Sequence, residues 1–526
     1  MGPRNDTRST RKNSKSNVKF TAWRTKKYKE IGIMTIEELN KKDNFKEAKQ
    51  YFEKNERIVE YNKKKYKIEE ILKEYDPLQH KVTDRRFRPD KILSEDGEQF
   101  VNAINYEEAE MAARNGVQTS TDYSLALVNR LPLPVQQRIV LVAATFLVGE
   151  RINIESNAEG KGKDLERSCR KVWDDNKLDY ESKNIAELMM SETHCAELWY
   201  DYIDTEYWKG TILEASTKKI GVMILAESKG DKLYPIFDEY QDLVAFGRGY
   251  KVKVDHKEVE HFDYYTKDVI IKGVMEGNEW KTTQQKNPYG AIPVVYYSQD
   301  RPEWANVQPL IERKETRFSD FADTNDYFAD PALVAEGEVE NLPSKGEVGK
   351  QFQVRNGGKI NYLTWDSAPE STKMEFEMLD QEIFANTHTP DISFGTMKTL
   401  LGNLSGIALK LLFMDAQIKA SKKQEYFGKC IQRRLNLIKK IVMSLSPMEF
   451  VNVVLELKPI FKSFMPVNEV EYNTMLINAF NAGMISRKTM IEMSTLVRNA
   501  EEELKEVLSD LETKEKNIKQ NNVNIT

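Results

Sequence analysis

The chain has 526 residues, of which 40% are hydrophobic and 31% charged, so it is long and apolar enough to form several domains. Acidic residues exceed basic ones by five (83 against 78), which excludes an overall cationic field of the kind that holds nucleic acid. The longest apolar run, Ile139 to Gly149, is too short to cross a bilayer, and we expect no membrane contact. Three widely spaced cysteines without a C-x-x-C pair predict buried thiols in a reducing cytoplasm.

The first half of the chain changes from a basic tail to helices and then to strands. Residues 1–30 carry ten basic and two acidic side chains, and both a solvated tail and a segment that binds nucleic acid or an acidic partner remain open. Residues 35–75, rich in Lys and Glu, predict solvated helices. The apolar run that ends at Gly149 predicts a buried helix, and helical periodicity continues over 164–202. Alternating polar and apolar residues then predict a β-rich segment over 218–300.

Two predicted helices flank a small β module in the second half. Pro309, at a first helical position, predicts a helix from Gln308 to about Phe328. A second helix is predicted from Ser371 as N-cap to about Ala385. Between them, alternating residues on both sides of Asn356-Gly357-Gly358 predict a hairpin with strands at 351–355 and 359–362.

The remaining segment contains a sparsely charged loop and a long basic helix. Residues 391–405 carry only two charges, and residues 406–445 lack proline and have nine basic against two acidic side chains. A strand is predicted over 451–457. C-terminal helices follow from Val467, with Gly483 at one C-cap and a further helix starting at Ser486, and acidic residues there outnumber basic ones ten to seven.

No arrangement of residues predicts catalysis, a metal site or a cofactor. The glycines near Lys350 lack the spacing of a phosphate-binding loop. His256 and His261 are five residues apart in a strand-like run, on opposite faces. His194 lies next to Cys195 but has no third partner for nucleophilic chemistry.

Ordered blocks of the sequence resemble the portal, or head-to-tail connector, of tailed bacteriophages. The blocks are Asn129-Arg130-Leu131 through Phe146-Leu147-Val148-Gly149-Glu150-Arg151, Asn287-Pro288-Tyr289-Gly290-Ala291-Ile292-Pro293-Val294-Val295, Ser319-Asp320 with Asn325 and Phe328-Ala329-Asp330, Thr389-Pro390-Asp391-Ile392-Ser393, Gly402-Asn403-Leu404-Ser405-Gly406-Ile407-Ala408-Leu409-Lys410, and Asn481-Ala482-Gly483-Met484-Ile485-Ser486-Arg487-Lys488-Thr489. Their order, rather than any single block, carries the resemblance.

The resemblance implies a mainly α fold with β insertions (α+β) that forms rings. The blocks span roughly residues 125–500 and do not include the basic arm or the Lys/Glu-rich helices. The divisions expected for the whole chain are a basic N-terminal arm (1–34), a wing (35–300, helical in its first part and β-rich over 218–300), stem helix 1 (301–330), a clip (331–369), stem helix 2 (370–390), a tunnel loop (391–405), a long kinked helix returning to the wing (406–466), and a helical crown (467–526).

The function that the resemblance implies is a ring, typically of twelve copies, at a unique capsid vertex. Double-stranded DNA would enter through its channel during packaging and leave during ejection. The implied partners are the large terminase, a head-completion or tail adaptor protein and the major capsid protein. The protein would lie in the virion, and in the host cytoplasm during assembly. The alternatives are a metal-dependent nuclease on a basic helix and a capsid scaffold or adaptor without a DNA channel.

Two groups of residues follow from the resemblance as expected sites. The DNA-tunnel residues are Asp391, Thr396, Lys398, Thr399 and Asn403. The residues expected to dock the motor on the clip are Glu336, Glu338, Glu340, Lys345 and Lys350.

Overall fold

A computed structural model describes residues 34–93, 100–102, 125–126, 128–254, 256–328, 333–336, 359–362, 369–390, 406–462, 469–494, 496–497, 500 and 502–511. The α-helices in these ranges are α1 (Ile36–Leu39), α2 (Phe45–Lys54), α3 (Ile68–Tyr75), α4 (Val135–Val148), α5 (Lys161–Asp175), α6 (Leu178–Glu192), α7 (Gln308–Phe328), α8 (Pro369–Thr387), α9 (Gly406–Leu445), α10 (Glu469–Asn481), α11 (Arg487–Met493) and α12 (residues 502–511). Among the described residues, no helix combines the length and apolar character needed to cross a membrane.

The strands are β1 (Val59–Tyr61), β2 (Lys64–Tyr66), β3 (Lys91–Leu93), β4 (Phe100–Asn102), β5 (Leu125–Ala126), β6 (Asn153–Ser156), β7 (His194–Ile203), β8 (Lys218–Leu225), β9 (Lys232–Phe237), β10 (Leu243–Val254), β11 (Lys257–Thr266), β12 (Val269–Glu276), β13 (Glu279–Lys286), β14 (Val294–Ser298), β15 (Leu333–Glu336), β16 (Lys359–Tyr362) and β17 (Leu457–Ile460). Two of the larger sheets have the orders β13-β12-β11-β10-β9 and β14-β7-β8. All the described pairings are antiparallel. The mixture of helix and sheet agrees with the predicted α+β class.

The chain divides into two compact units. One comprises Met1–Thr389 with Lys419–Lys462, and the other comprises Pro390–Ile418 with Ser463–Thr526. Within the first unit, the main core joins α4, α5, α6 and the C-terminal part of α9 to the β14-β7-β8 sheet. Helix α4 is buried over most of its surface, which confirms the predicted core helix.

The segment from 164 to 202 is only partly helical, which corrects the sequence prediction. Helix α6 ends at Glu192, and β7 begins at His194 after Thr193, whose φ of 66° stops the helix. The first six residues of β7 are buried, so they lack the two-residue alternation that marks a half-exposed strand. A buried run without alternation, here His194-Cys195-Ala196-Glu197-Leu198-Trp199, does not distinguish a strand from a helix.

The sequence predicted a solvated helix at α2, but one face of this helix is buried and forms one side of a small hydrophobic core. Phe45 and Phe52 are buried against the five-stranded sheet. The sheet makes room for them with glycine, because a Cβ at Gly273 would lie 2.2 Å from the Phe45 ring and one at Gly247 would lie 3.0 Å from Phe52. The charged residues of α2 cover only its outer face.

In the second half, the predicted helix Gln308–Phe328 is confirmed with both bounds. The second helix begins at Pro369, so Ser371 lies inside it and is not its N-cap. The strand predicted over 451–457 is instead β17, which starts at Leu457 and pairs with β6 despite Pro459. In a two-stranded sheet, one side of each strand has no neighbour, and a proline is tolerated there.

Helix α9 confirms the predicted 406–445 helix, but its apolar stripe is buried only in part. Phe427, Ile431 and Ile438 are fully buried, whereas Leu411 and Ile418 are exposed. In the C-terminal region, Ser486 caps α11 by accepting a hydrogen bond from the Thr489 amide, as predicted.

Candidate functional site: the paired helices and the segments that hold them

Helices α7 and α8 lie side by side through a polar clamp and an aromatic contact. Glu375 on α8 accepts hydrogen bonds from Arg313 (3.1 Å) and Arg317 (3.0 Å) on α7. Burial alone would raise the pKa of Glu375, but the hydrogen bonds and charges of the two guanidinium groups together hold it below its usual value. Phe376 contacts Phe318 and Phe321 edge-to-face, at ring centroid distances of 5.9 and 6.4 Å. The clamp and the rings together fix the register of the two helices.

The other side of α7 is bound by an extended segment, residues 129–133. The amides of Asn129, Leu131 and Leu133 donate to Asp323 (2.6 Å), Ser319 (3.0 Å) and Glu315 (2.9 Å), respectively. Two residues of extended chain rise about 6.6 Å, and four residues of helix rise about 6.0 Å, so the two repeats match. Pro132 and Pro134, which have no N–H, occupy positions that need no donor.

Further side chains complete this attachment. His80 Nδ1 lies 2.6 Å from Glu315 Oε1, and both side chains are buried. Arg88 pairs with Asp320 at 2.7 Å and also with Asp323. Helix α7 is thus fixed to residues 80–133 through polar residues spaced four apart. This attachment was not predicted, although the spacing of Glu315, Ser319 and Asp323 is visible in the sequence.

A strand pair lies in the sequence between the two helices. Strands β15 and β16 pair in the register Leu333↔Tyr362 to Glu336↔Lys359. The second strand of the predicted hairpin is therefore confirmed, and β15 is the partner that the structure describes for it. The predicted first strand (351–355) and turn lie outside the described residues.

The predicted site residues fall mainly outside the described ranges. Of the clip residues, Glu336 is the last residue of β15, opposite Lys359. Outside the described residues lie Glu338, Glu340, Lys345, Lys350, Asp391, Thr396, Lys398, Thr399 and Asn403, together with residues 1–33 of the basic arm.

The basic residues of α9 are largely used inside the protein. Lys419 and Lys423 both pair with the buried carboxylate of Glu303, Lys419 at 2.7 Å. Burial alone would raise the pKa of Glu303, but the two ammonium groups lower it. Lys439 donates to the Leu455 carbonyl at 2.8 Å. This use of the charges weakens the alternative of a nuclease on a basic helix platform.

Arg434 is the most deeply buried of these cations. Its Nε donates to Glu197 Oε1 at 2.8 Å and its Nη1 to Ser182 Oγ at 2.7 Å, while both Arg434 and Glu197 are fully buried. Glu197 also accepts from Tyr297 OH (2.7 Å) and Trp199 Nε1 (3.1 Å). This network of hydrogen bonds joins α9 to β7, β14 and α6. From the sequence, Arg434 could be recognised only as one of the basic residues of α9.

The residues considered for chemistry do not come together. Within the described part of the chain, no group of three or more His, Cys, Asp or Glu side chains is placed to hold a metal ion. His194 lies at the start of β7 rather than on a helix. Burial raises the pKa of Cys169 and Cys430 to about 12 and that of Cys195 well above its usual value, so all three are unreactive thiols.

The described part of the chain is α+β, with two long paired helices and a strand pair between them in the sequence. Its family is shown by sequence: the model described as phage portal protein, SPP1 Gp6-like, matches residues 37–517, and the chain belongs to this family. Portal proteins of this family are structural, non-enzymatic components of phage heads, and the chain is not an enzyme. No curated protein sequence matches the chain.

Solved structures with some similarity come from gene transfer agent (GTA) particles. The neck of an empty particle computed with C6 symmetry has a TM-score of 0.35, and the neck of a native particle computed with C12 symmetry has one of 0.34. A native GTA virion gives 0.34. Each is 10% identical and covers 68% of this chain; the matches cover 87%, 87% and 88% of the other chains. At TM-scores below 0.5 the similarity does not establish a shared fold.

Proposed function

We propose that the protein forms a dodecameric portal ring at one capsid vertex, through which double-stranded DNA enters the head and later leaves it. The observation that carries this proposal is the family match over residues 37–517. The paired helices support it, because their clamp makes a rigid rod and because Met374 and Met378 on α8 are exposed at a spacing of four. An exposed apolar pair on such a rod suits contact with the next copy in a closed ring.

The ring is tested with purified full-length protein. We expect oligomers in light scattering and closed rings in negative-stain images. The variant Met374→Lys/Met378→Lys should shift the population toward monomers, whereas Lys373→Met, on an exposed neighbouring position of α8, should not. Monomers for the unsubstituted protein in both measurements would contradict the proposal.

The clip (331–369) is proposed to dock the large terminase and then the tail adaptor. Its support is the position of β15 and β16 in the chain between the two rod helices. Replacing residues 337–358 with a short Gly/Ser linker leaves both strands and should abolish terminase binding while rings persist. Charge reversal at Glu338, Glu340, Lys345 and Lys350 should weaken binding without the deletion. Terminase binding that survives both changes would refute the assignment.

The loop 391–405 is proposed to line the channel and touch DNA through Lys398, helped by Thr396, Thr399 and Asn403. Each phosphate neutralised by a cation adds a salt-dependent binding contribution, so a loop that guides sliding DNA needs few charges. Lys398→Glu should leave rings intact and reduce packaging or DNA retention. Lys163→Glu, an exposed position on α5, is the matched charge control. Normal packaging by Lys398→Glu at ordinary salt would exclude the role.

The C-terminal segment 467–526 is proposed as a crown on the capsid-interior side that ring closure does not require. Its acidic excess would repel packaged DNA. Truncation is best placed after Lys462, because β17 pairs with β6 and a cut after Leu457 would remove that pairing. Rings should form without the segment; monomers would contradict this assignment.

A further inference from the structure

A cavity of about 610 Å³ lies in the wing between the β14-β7-β8 sheet and the five-stranded sheet. The two sheets are in close contact where Phe246, Tyr265 and Ile270, neighbours across β10, β11 and β12, form an apolar layer. Two residues further along the strands, on the same face, the neighbours are Arg248, Asp263 and Lys272. The facing layer therefore changes from apolar to charged at the position of the cavity.

One aromatic ring in the cavity wall offers a surface for stacking. Tyr200 on β7 lies over Gly221, where a Cβ would come within 3.0 Å of the ring, and 38% of Tyr200 is exposed. Tyr250 is less available, because Arg248 lies 4.0 Å above its ring and His261 stacks on it at a centroid distance of 4.9 Å. A flat ligand in this cavity would therefore stack on Tyr200.

Asp263 has an unused acceptor in the cavity wall. Its side chain is buried, with 3% of the residue exposed; Oδ2 accepts from Tyr250 OH at 3.2 Å, and Oδ1 has no hydrogen-bond partner among the described residues. A buried acceptor without a donor costs about 1–3 kcal/mol, so a ligand that donates to it gains affinity. The second carboxylate of the wall, Asp201, is already bound by Lys218 (2.8 Å) and Tyr289.

Two lysines add an anion-binding character to the same cavity. Lys272 and Lys286 line it, and neither forms an ion pair within the described part of the chain. Arg248, by contrast, donates to Asp231 at 2.7 Å and is already used. The free groups of the cavity are thus a stacking face, one acceptor and two cations.

We propose that this cavity binds a nucleoside monophosphate. The base stacks on Tyr200, a ribose hydroxyl or base amino group donates to Asp263 Oδ1, and the phosphate binds Lys272 and Lys286. A cavity of this volume falls in the usual range of small-molecule sites. The aromatic ring, the acceptor and the cations each match one part of such a ligand. The proposal does not depend on ring formation or on the channel.

Calorimetric titration of the full-length protein with AMP, adenosine and ribose 5-phosphate tests the site. AMP should bind most tightly. Lys272→Ala/Lys286→Ala should weaken AMP about tenfold or more and adenosine much less, because the phosphate contact is lost while Lys272 acts on adenosine only through its charge beside Asp263. Asp263→Asn should weaken adenosine by about tenfold and AMP by less, because removing the carboxylate beside Lys272 also strengthens the phosphate contact. Lys253→Ala, an exposed lysine of β10 outside the cavity, is the matched control.

Far-ultraviolet circular dichroism checks that each variant is folded, and Tyr200→Ala gives a second test if Asp263→Asn unfolds. Tyr200→Ala should also weaken AMP and adenosine alike. Absence of AMP binding up to roughly 5 mM would overturn the proposal. It would also be overturned if the double lysine variant lost no more affinity than Lys253→Ala, or if neither Asp263→Asn nor Tyr200→Ala weakened adenosine.

Discussion

Replacing Arg434 with methionine tests whether the buried network holds the C-terminal part of α9 against α6 and the β14-β7-β8 sheet. The substitution keeps most of the side-chain volume but leaves Glu197 as a buried carboxylate without its cation. Breaking such a pair on one side costs about 3–5 kcal/mol. We expect a value near 3 kcal/mol, at the lower end of that range, because Tyr297 and Trp199 still donate to Glu197. The free energy of unfolding is measured by urea titration followed by circular dichroism.

Two companion variants make the result specific. Arg434→Met/Glu197→Gln removes both charges; the amide oxygen can still accept from Trp199, and the amide NH2 can donate to the Tyr297 hydroxyl, so the double variant should be clearly more stable than the single one. Lys171→Met breaks the exposed pair with Asp175 (2.9 Å) and should cost less than about 1 kcal/mol. If Arg434→Met is as mild as Lys171→Met, or if the double variant is as unstable as the single one, the buried pair does not hold α9 in place.

Three further predictions concern the helix attachments. Ser319→Ala should lower the free energy of unfolding by about 1–3 kcal/mol, because the Leu131 amide loses its acceptor. The control Thr316→Ala, at an exposed position of α7, should lower the free energy of unfolding by less. Glu375→Gln should cost less than about 1 kcal/mol, since the clamp is partly exposed, and a larger loss in urea titration would disprove this. Because the pKa of Glu303 is lowered in the folded protein, its contribution to the free energy of unfolding is complete above the unfolded pKa of 4.5 and is lost as the pH falls through the folded pKa. Glu303→Gln should therefore reduce the dependence of the free energy of unfolding on pH below about pH 4.5. An unchanged pH dependence in acid would count against the pairing.

Much of the second half could be predicted from the sequence because its signals are local. Pro309 fixed the start of α7, and Ser486 fixed the cap of α11. The strand β7 could not be predicted in this way, because its N-terminal half is buried on both faces and its sequence does not alternate between polar and apolar residues. Helix α2 looked solvated because the glycines that receive Phe45 and Phe52 lie about 200 residues away in the chain.

The polar attachments show a second limit of sequence reasoning. Every second amide of residues 129–133 donates to a side chain at every fourth position of α7, namely 315, 319 and 323. An extended repeat of two residues is thus matched to a helical repeat of four residues that lies nearly 200 residues away in the chain. Neither segment alone shows that it has a partner. The partner of Lys419 and Lys423 was hidden in the same way. The basic charge of α9 suggested an external partner, although Glu303 neutralises these two lysines in part.

We propose that copies of this chain close into a ring around a channel for duplex DNA. Electron microscopy of the purified full-length protein, with two-dimensional class averages sorted by rotational symmetry, would show this ring. We expect end-on views of twelvefold rings with an axial opening wide enough for a DNA duplex. Monomers only, or closed particles without an axial opening, would contradict it.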